Sequence, residues 1–320
     1  MTKRSFIYSF ATLIMVTITC MMVSCSLFHE DLPACDLQVA FKYDYNMLST
    51  DAFHTQVERV ELYVFDENGI FLFSRNEEGN VLKTGNFRMK LTLDPGKYKL
   101  MAWAGAGIND SYTLVSLVPG SSKLSDIQLQ LKRDASCIID RKIGDLWYGE
   151  ILEVIHAGAG QTATINLIRD TNNILFIFKG ATPDWQIVAN DYTYQLVESN
   201  GYLDYDNSLL DDDKLSYEPF YIEQKNESWV TVEINTLRLM ADMKTRFTIT
   251  HKTAEAKVFD IDLIEFLAAT EMERYKWEAQ EYFDRQHEYV IVFYFNGKGT
   301  GPWTYTMLDI NDWTWHIQNE

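Results

Sequence analysis

Val57 to Ser74 reads VERVELYVFDENGIFLFS. Apolar and polar residues alternate through Val57–Phe65, the period of a strand with one face buried. Asp66-Glu67-Asn68-Gly69 follows, and Asn-Gly suits the positive φ angles of a tight hairpin. Ile70 to Ser74 then returns as the partner strand.

The same signature recurs on both sides. Upstream, Leu37 to Tyr43 alternates, with Ala40 as the small exception. Downstream come Asn86–Leu93, an Asp94-Pro95-Gly96 turn, and Tyr98–Trp103. Leu124–Leu131 and Gln161–Ile168 continue the pattern. Further strands are expected at Asn173–Lys179, Tyr192–Val197, Trp229–Ile234, Arg246–Thr250, Lys257–Ile261, Tyr289–Phe295 and Trp303–Leu308, leading into Trp313–Ile317. Short strands at this spacing predict an all-β chain built from β-sandwiches. Helical spacing is confined to a short stretch in Met47–Val57, capped near Ser49 or Asp51, and to Asp262–Phe283, broken near Thr270. The polar triplet Asp170-Thr171-Asn172 separates two apolar strands and suggests a boundary. That gives domains at 37–170 and 171–320.

With 320 residues, two domains is the natural size. The chain carries 28 Lys+Arg against 46 Asp+Glu, a net charge of −18. Such an acid excess argues against nucleic acid, which demands a basic face. It argues equally against electrostatic adsorption to anionic lipid. Membrane attachment would need a hydrophobic or covalent anchor.

The N-terminus offers one. Lys3 and Arg4 precede a charge-free run, Phe6 to Val23, and then Ser24 and Cys25. A basic start, an apolar stretch and a small residue before the cut form an export signal over residues 1–24. Met22-Val23-Ser24-Cys25 resembles a bacterial lipobox, which makes Cys25 the lipid-attachment residue. Cys20 fits less well, because Thr19 precedes it. Residues 25–36 form the lipidated tether, and Glu30-Asp31 within it resembles a surface-export signal of Bacteroidetes lipoproteins. In an oxidising compartment, Cys35 and Cys137 are a candidate disulfide or two separate thiols. A bridge would close a loop of about 100 residues and contribute about 4 kcal/mol in the chain-entropy model.

No constellation for catalysis emerges. His29, His54, His156, His251, His287 and His316 are scattered outside any HExxH spacing. GxSxG, P-loop and dinucleotide fingerprints are absent. Trp103-Ala104-Gly105-Ala106-Gly107 reads as a strand exit rather than a phosphate cradle. The acidic stretch 204–213 is dense in oxygen ligands, but Leu209 and Leu215 stand where an EF-hand loop needs Gly and Glu. A solvated acidic loop is the simpler reading, with calcium as the alternative. No cofactor or metal site is expected, and no enzyme activity. Eight Trp and 18 Tyr are expected mostly in the core, Trp313 and Trp315 included, since these two share one face of the terminal strand.

An ordered series of segments then stands out: Tyr43-Asp44-Tyr45-Asn46-Met47, Asp51-Ala52-Phe53, Val57–Glu67, Leu93–Tyr98, Ala102-Trp103-Ala104-Gly105, Leu146-Trp147-Tyr148-Gly149, Leu167–Ile174, Asp284-Arg285 and Ile310-Asn311-Asp312-Trp313. Together they resemble the fimbrial anchor lipoprotein family of Bacteroidales, the anchor subunits of type V pili. One departure is the absence of a Gly before Trp313. The resemblance implies two tandem transthyretin-like β-sandwich domains with short helical inserts. It implies a surface-exposed outer-membrane lipoprotein that holds a major or minor fimbrial stalk subunit and limits fibre length. Contact would be by strand addition, in which main-chain bonds give affinity and alternate side-chain pockets give register. The competing readings are a surface glycan-binding lipoprotein, which would expose its aromatics, and an adhesin at the pilus tip. A stalk subunit, expected to carry an Arg or Lys processing site, is disfavoured, because Lys42 is the only Lys or Arg between Cys25 and Tyr43.

Overall fold

Alternation in Leu37–Lys42 (β1) puts Leu37, Val39 and Phe41 inward, and the strand is held on both sides. It runs parallel to Gln161–Arg169 (β10) and antiparallel to Met89–Leu91 (β4). The structure is a computed structural model that describes residues 36–158, 160–182, 184–271, 277–296, 303–311 and 313–316. The hairpin read from the sequence is present as Arg59–Asp66 (β2) and Phe71–Glu78 (β3), with Gly69 at φ 77 in the turn. Gly96–Ala104 (β5) pairs with β2 and with Trp147–His156 (β9), and the sheet order is β3-β2-β5-β9-β10-β1-β4. This sheet curls on itself. Its inner face encloses one core, including Leu37, Phe41, Phe53, Val60, Leu62, Leu100, Trp147 and Ile165.

The other face of β2 and β5 is not solvated. Tyr63, Phe65, Met101, Trp103 and Tyr148 join a second core that extends through the rest of the chain. The segment between β5 and β9 leads across. It forms Tyr112–Leu114 (β6), Leu129–Leu131 (β7) and Ile138–Ile139 (β8). β7 pairs with Tyr202–Leu203 (β13), and β8 pairs with Leu215–Tyr217 (β14). The first half of the chain therefore supplies strands to sheets of the second.

In the second half, Asn172–Gly180 (β11) lies between Trp229–Thr236 (β16) and Glu288–Asn296 (β19). With Tyr221–Asn226 (β15), Thr304–Ile310 (β20) and Trp313–His316 (β21) they make a sheet ordered β15-β16-β11-β19-β20-β21. Tyr192–Glu198 (β12), Arg246–His251 (β17) and Ala256–Asp262 (β18) complete a facing sheet, β18-β17-β12-β14-β8. Stacked rings fill the space between. Phe176 and Phe247 lie 4.0 Å apart, and Phe178 contacts Tyr194, Phe293 and Trp303. Aromatic pairs of this kind add about 0.5–1.5 kcal/mol each beyond area burial.

The architecture is thus mainly β, with few short helices: Phe53–Gln56 (α1), Leu263–Glu271 (α2) and Ala279–Arg285 (α3). Asp51 Oδ1 accepts from the Phe53 N–H at the start of α1. α2 and α3 occupy the stretch read as one broken helix, and residues 272–276 between them lie outside the described set.

Candidate functional site

β10 ends on Arg169 and β11 begins on Asn172, so the chain crosses between halves in two residues. The sequence suggested a polar boundary there. Instead, Arg169, Asp170, Thr171 and Asn172 are all buried. Buried polar groups must be partnered, and most of these are. Arg169 Nη2 donates to Asp145 at 2.7 Å and Nη1 to Glu288 at 3.0 Å. Its guanidinium lies 5.7 Å from the Trp147 ring. Asp170 takes the Asn207 amide at 2.8 Å on Oδ1, and its own N–H donates to Leu146 O. Arg238 grips Asp284 with two bonds of 3.0 and 2.8 Å and reaches Asn207 O at 2.6 Å.

Burial sets the charge states. Desolvation raises the Asp170 carboxyl to about 7, against the pull of Arg238. His287 is held neutral: its burial, with Arg169 and Arg238 nearby, lowers it to about 3. Its Nδ1 faces Asn172 Oδ1 at 3.3 Å.

Several of the segments that carry the family resemblance converge on this junction. Ala102, Trp103 and Ala104 pair with Gly149, Tyr148 and Trp147. Leu167, Ile168 and Arg169 pair with the same Gly149, Tyr148 and Trp147 from the other side. Tyr43 packs edge-on to Trp147 at 6.0 Å and tilted against His287 at 6.5 Å. The Arg285 guanidinium stacks on Tyr45 at 3.9 Å. Gly105, at φ 81, lets the strand exit pass against the Asp145 carbonyl, where a Cβ would collide with the oxygen. A cleft of about 770 Å³ opens beside it, lined by Gln56, Asn109, Lys142, Asp145, Arg169 and Glu288. Arg169 there binds both Asp145 and Glu288, so the junction acts as a clamp between the halves.

Cys25 and Cys35 lie outside the described residues, and with them the expected lipid attachment and the Cys35–Cys137 bridge. Cys137 is half-buried at φ 55, and its carbonyl accepts from Ser216 N. The acidic stretch 204–213 is less solvated than expected. Asp212 is engaged by Arg133, Asp206 caps Ser208, and Asn207 is buried under Asp170. Among the described residues no group of three or more His, Cys, Asp or Glu is placed to hold a metal. Trp103, Trp147, Trp185 and Trp303 are buried. Trp313 and Trp315 pair in register with Ile310 and Leu308, and their side chains lie outside the described set.

The remaining candidate sites are sheet edges, where strand addition would occur. In the seven-stranded sheet, Arg75 on β3 donates to Lys90 O on β4, so the two edges approach each other. β18 receives the Trp303 N–H on Val258 O at 2.8 Å. β8 and β21 are two and four residues long. β15 has six residues, nearly all exposed.

Comparison with known proteins gives a consistent picture. The family described as Mfa2, fimbrillin-A associated anchor proteins Mfa1 and Mfa2, matches residues 32–319. A Bacteroides thetaiotaomicron structure described as a candidate polysaccharide-binding protein is 50% identical, with TM-score 0.84, covering 89% of this chain and 98% of that one. A candidate adhesin of the same organism is 27% identical, with TM-score 0.79, over 89% and 99%. The fimbrial anchor protein Mfa2 of Porphyromonas gingivalis shares the fold at 20% identity and TM-score 0.69, over 88% and 99%. No curated protein sequence matches the chain.

Proposed function

Because the chain belongs to the family of fimbrillin-A associated anchor proteins, we propose that it is a lipoprotein tethered to the outer membrane through Cys25. There it retains a fimbria by strand-addition contacts with a major or minor stalk subunit and limits fibre length. The family match across residues 32–319 carries this reading. A disulfide between Cys35 and Cys137 would brace the tether against the body, and residues 37–170 and 171–320 are the two sandwich domains in this proposal.

The description of the 50%-identical relative points to polysaccharide as another ligand for this fold. A sugar platform needs exposed rings, and here Trp103, Trp147, Trp185 and Trp303 fill the core. Tyr221 is the one strongly exposed aromatic among the described residues. That distribution favours the anchor.

Metabolic labelling with a palmitate analogue tests the tether. The parent protein should incorporate label and sediment with outer membrane, whereas Cys25→Ala should do neither. Label persisting in Cys25→Ala would overturn the assignment.

A further inference from the structure

We propose, resting on the fimbrial reading above, that β15 is the edge on which an extended strand of a fimbrial subunit docks. β16 beside it is largely buried, whereas β15 is exposed along almost its whole length. Ile222 alternates onto the core-facing side, opposite Val232, yet it is 40% exposed. It does not pack into the second core. One step along, the Gln224 side chain bonds Ile187 O and Ala189 N, so the neighbouring loop closes the sandwich there but not at Ile222. The edge is therefore left open at Ile222. An added strand would place one apolar side chain beside Ile222 and another beside Tyr221 on the opposite face.

The charge around this edge defines the partner. Glu223, Glu227 and Glu233 stand against Lys225, which already pairs with Glu223 at 2.5 Å. The whole chain is acidic, so a second copy would be repelled. The strand that fits is apolar at alternate positions and carries Lys or Arg between them.

Fimbriae retained on cells and shed into the medium are counted for strains carrying the full-length parent, Ile222→Lys, and Val81→Lys. Val81→Lys places the same charge on an exposed site of the other half. Ile222→Lys should reduce retained fimbriae at least tenfold with an unchanged melting temperature, and Val81→Lys should match the parent. Hydrogen exchange on the unsubstituted protein gives an independent readout: amides of 221–225 should become protected when the stalk subunit is bound. If Ile222→Lys retains fibres like the parent, or exchange there is unaffected by bound subunit, the docking edge is wrong while the anchor reading stands. Self-association abolished by Ile222→Lys, with retention unchanged, would likewise overturn it. If the parent holds no fimbriae, the anchor reading fails, and this site fails with it.

Discussion

Gly105 shows how one residue constrains the junction. Its φ of 81 and its closeness to the Asp145 carbonyl leave no room for a Cβ. Gly105→Ala should therefore cost about 3 kcal/mol, combining left-handed strain with displacement of the backbone opposite. Gly85→Ala, at φ 78 with nothing nearby, should cost only about 1 kcal/mol. Urea midpoints of the two variants separate steric from conformational cost. Asp170 and His287 make a paired prediction in pH. The Asp170 carboxyl sits near 7 when folded and near 4 when unfolded, so the native state binds its proton more tightly. Its contribution is present at low pH and is lost as pH rises from about 4 to 7. His287 does the reverse: folded at about 3 and unfolded near 6.5, it loses stability as pH falls through that window. The two slopes oppose each other. In Asp170→Asn, stability should fall more steeply from pH 7 to 4 than in the parent. An unchanged slope would show that Asp170 is ionised throughout.

At the scale of elements, β11 is the centre of the second sandwich. Phe178→Ala removes a ring that meets Phe176, Phe247, Phe293 and Phe295. A loss of about 3–5 kcal/mol is expected, read as a lower denaturant midpoint with an unchanged slope. β10 was legible because it keeps strict alternation with one face buried, and β2, β11 and β19 because each carries a run of β-branched and aromatic residues. β9 was not, although it is ten residues long. A register shift in its pairing with β5, between Leu100 and Ala102, interrupts the period, and both of its ends are packed. The short strands β6, β8, β13 and β14 were missed because two or three residues carry no measurable period. At the junction, Asp170-Thr171-Asn172 looked like a polar connection because polar residues mark loops. Their burial depends on Asn207 and His287, distant in sequence, and no local pattern reveals such partners. The motifs that meet there were visible, but only as a family resemblance.

Across the whole molecule, the two halves interlock. β7 and β8 pair with strands of the second half, and the outer faces of β2 and β5 belong to its core. Residues 36–320 should unfold in a single transition, and residues 37–170 alone should fail to give a cooperative one. Two separable calorimetric peaks would contradict this. Under the proposed tethering, load entering at Asp36 would pass through β1, which lies between β10 and β4, to the junction clamp. The most direct measurement is the partition of fimbriae between cells and medium in strains carrying the parent protein, Cys25→Ala, or no copy. The account predicts cell-bound fibres with the parent and shed fibres in both other strains; fibres that remain equally cell-bound without the protein would contradict it.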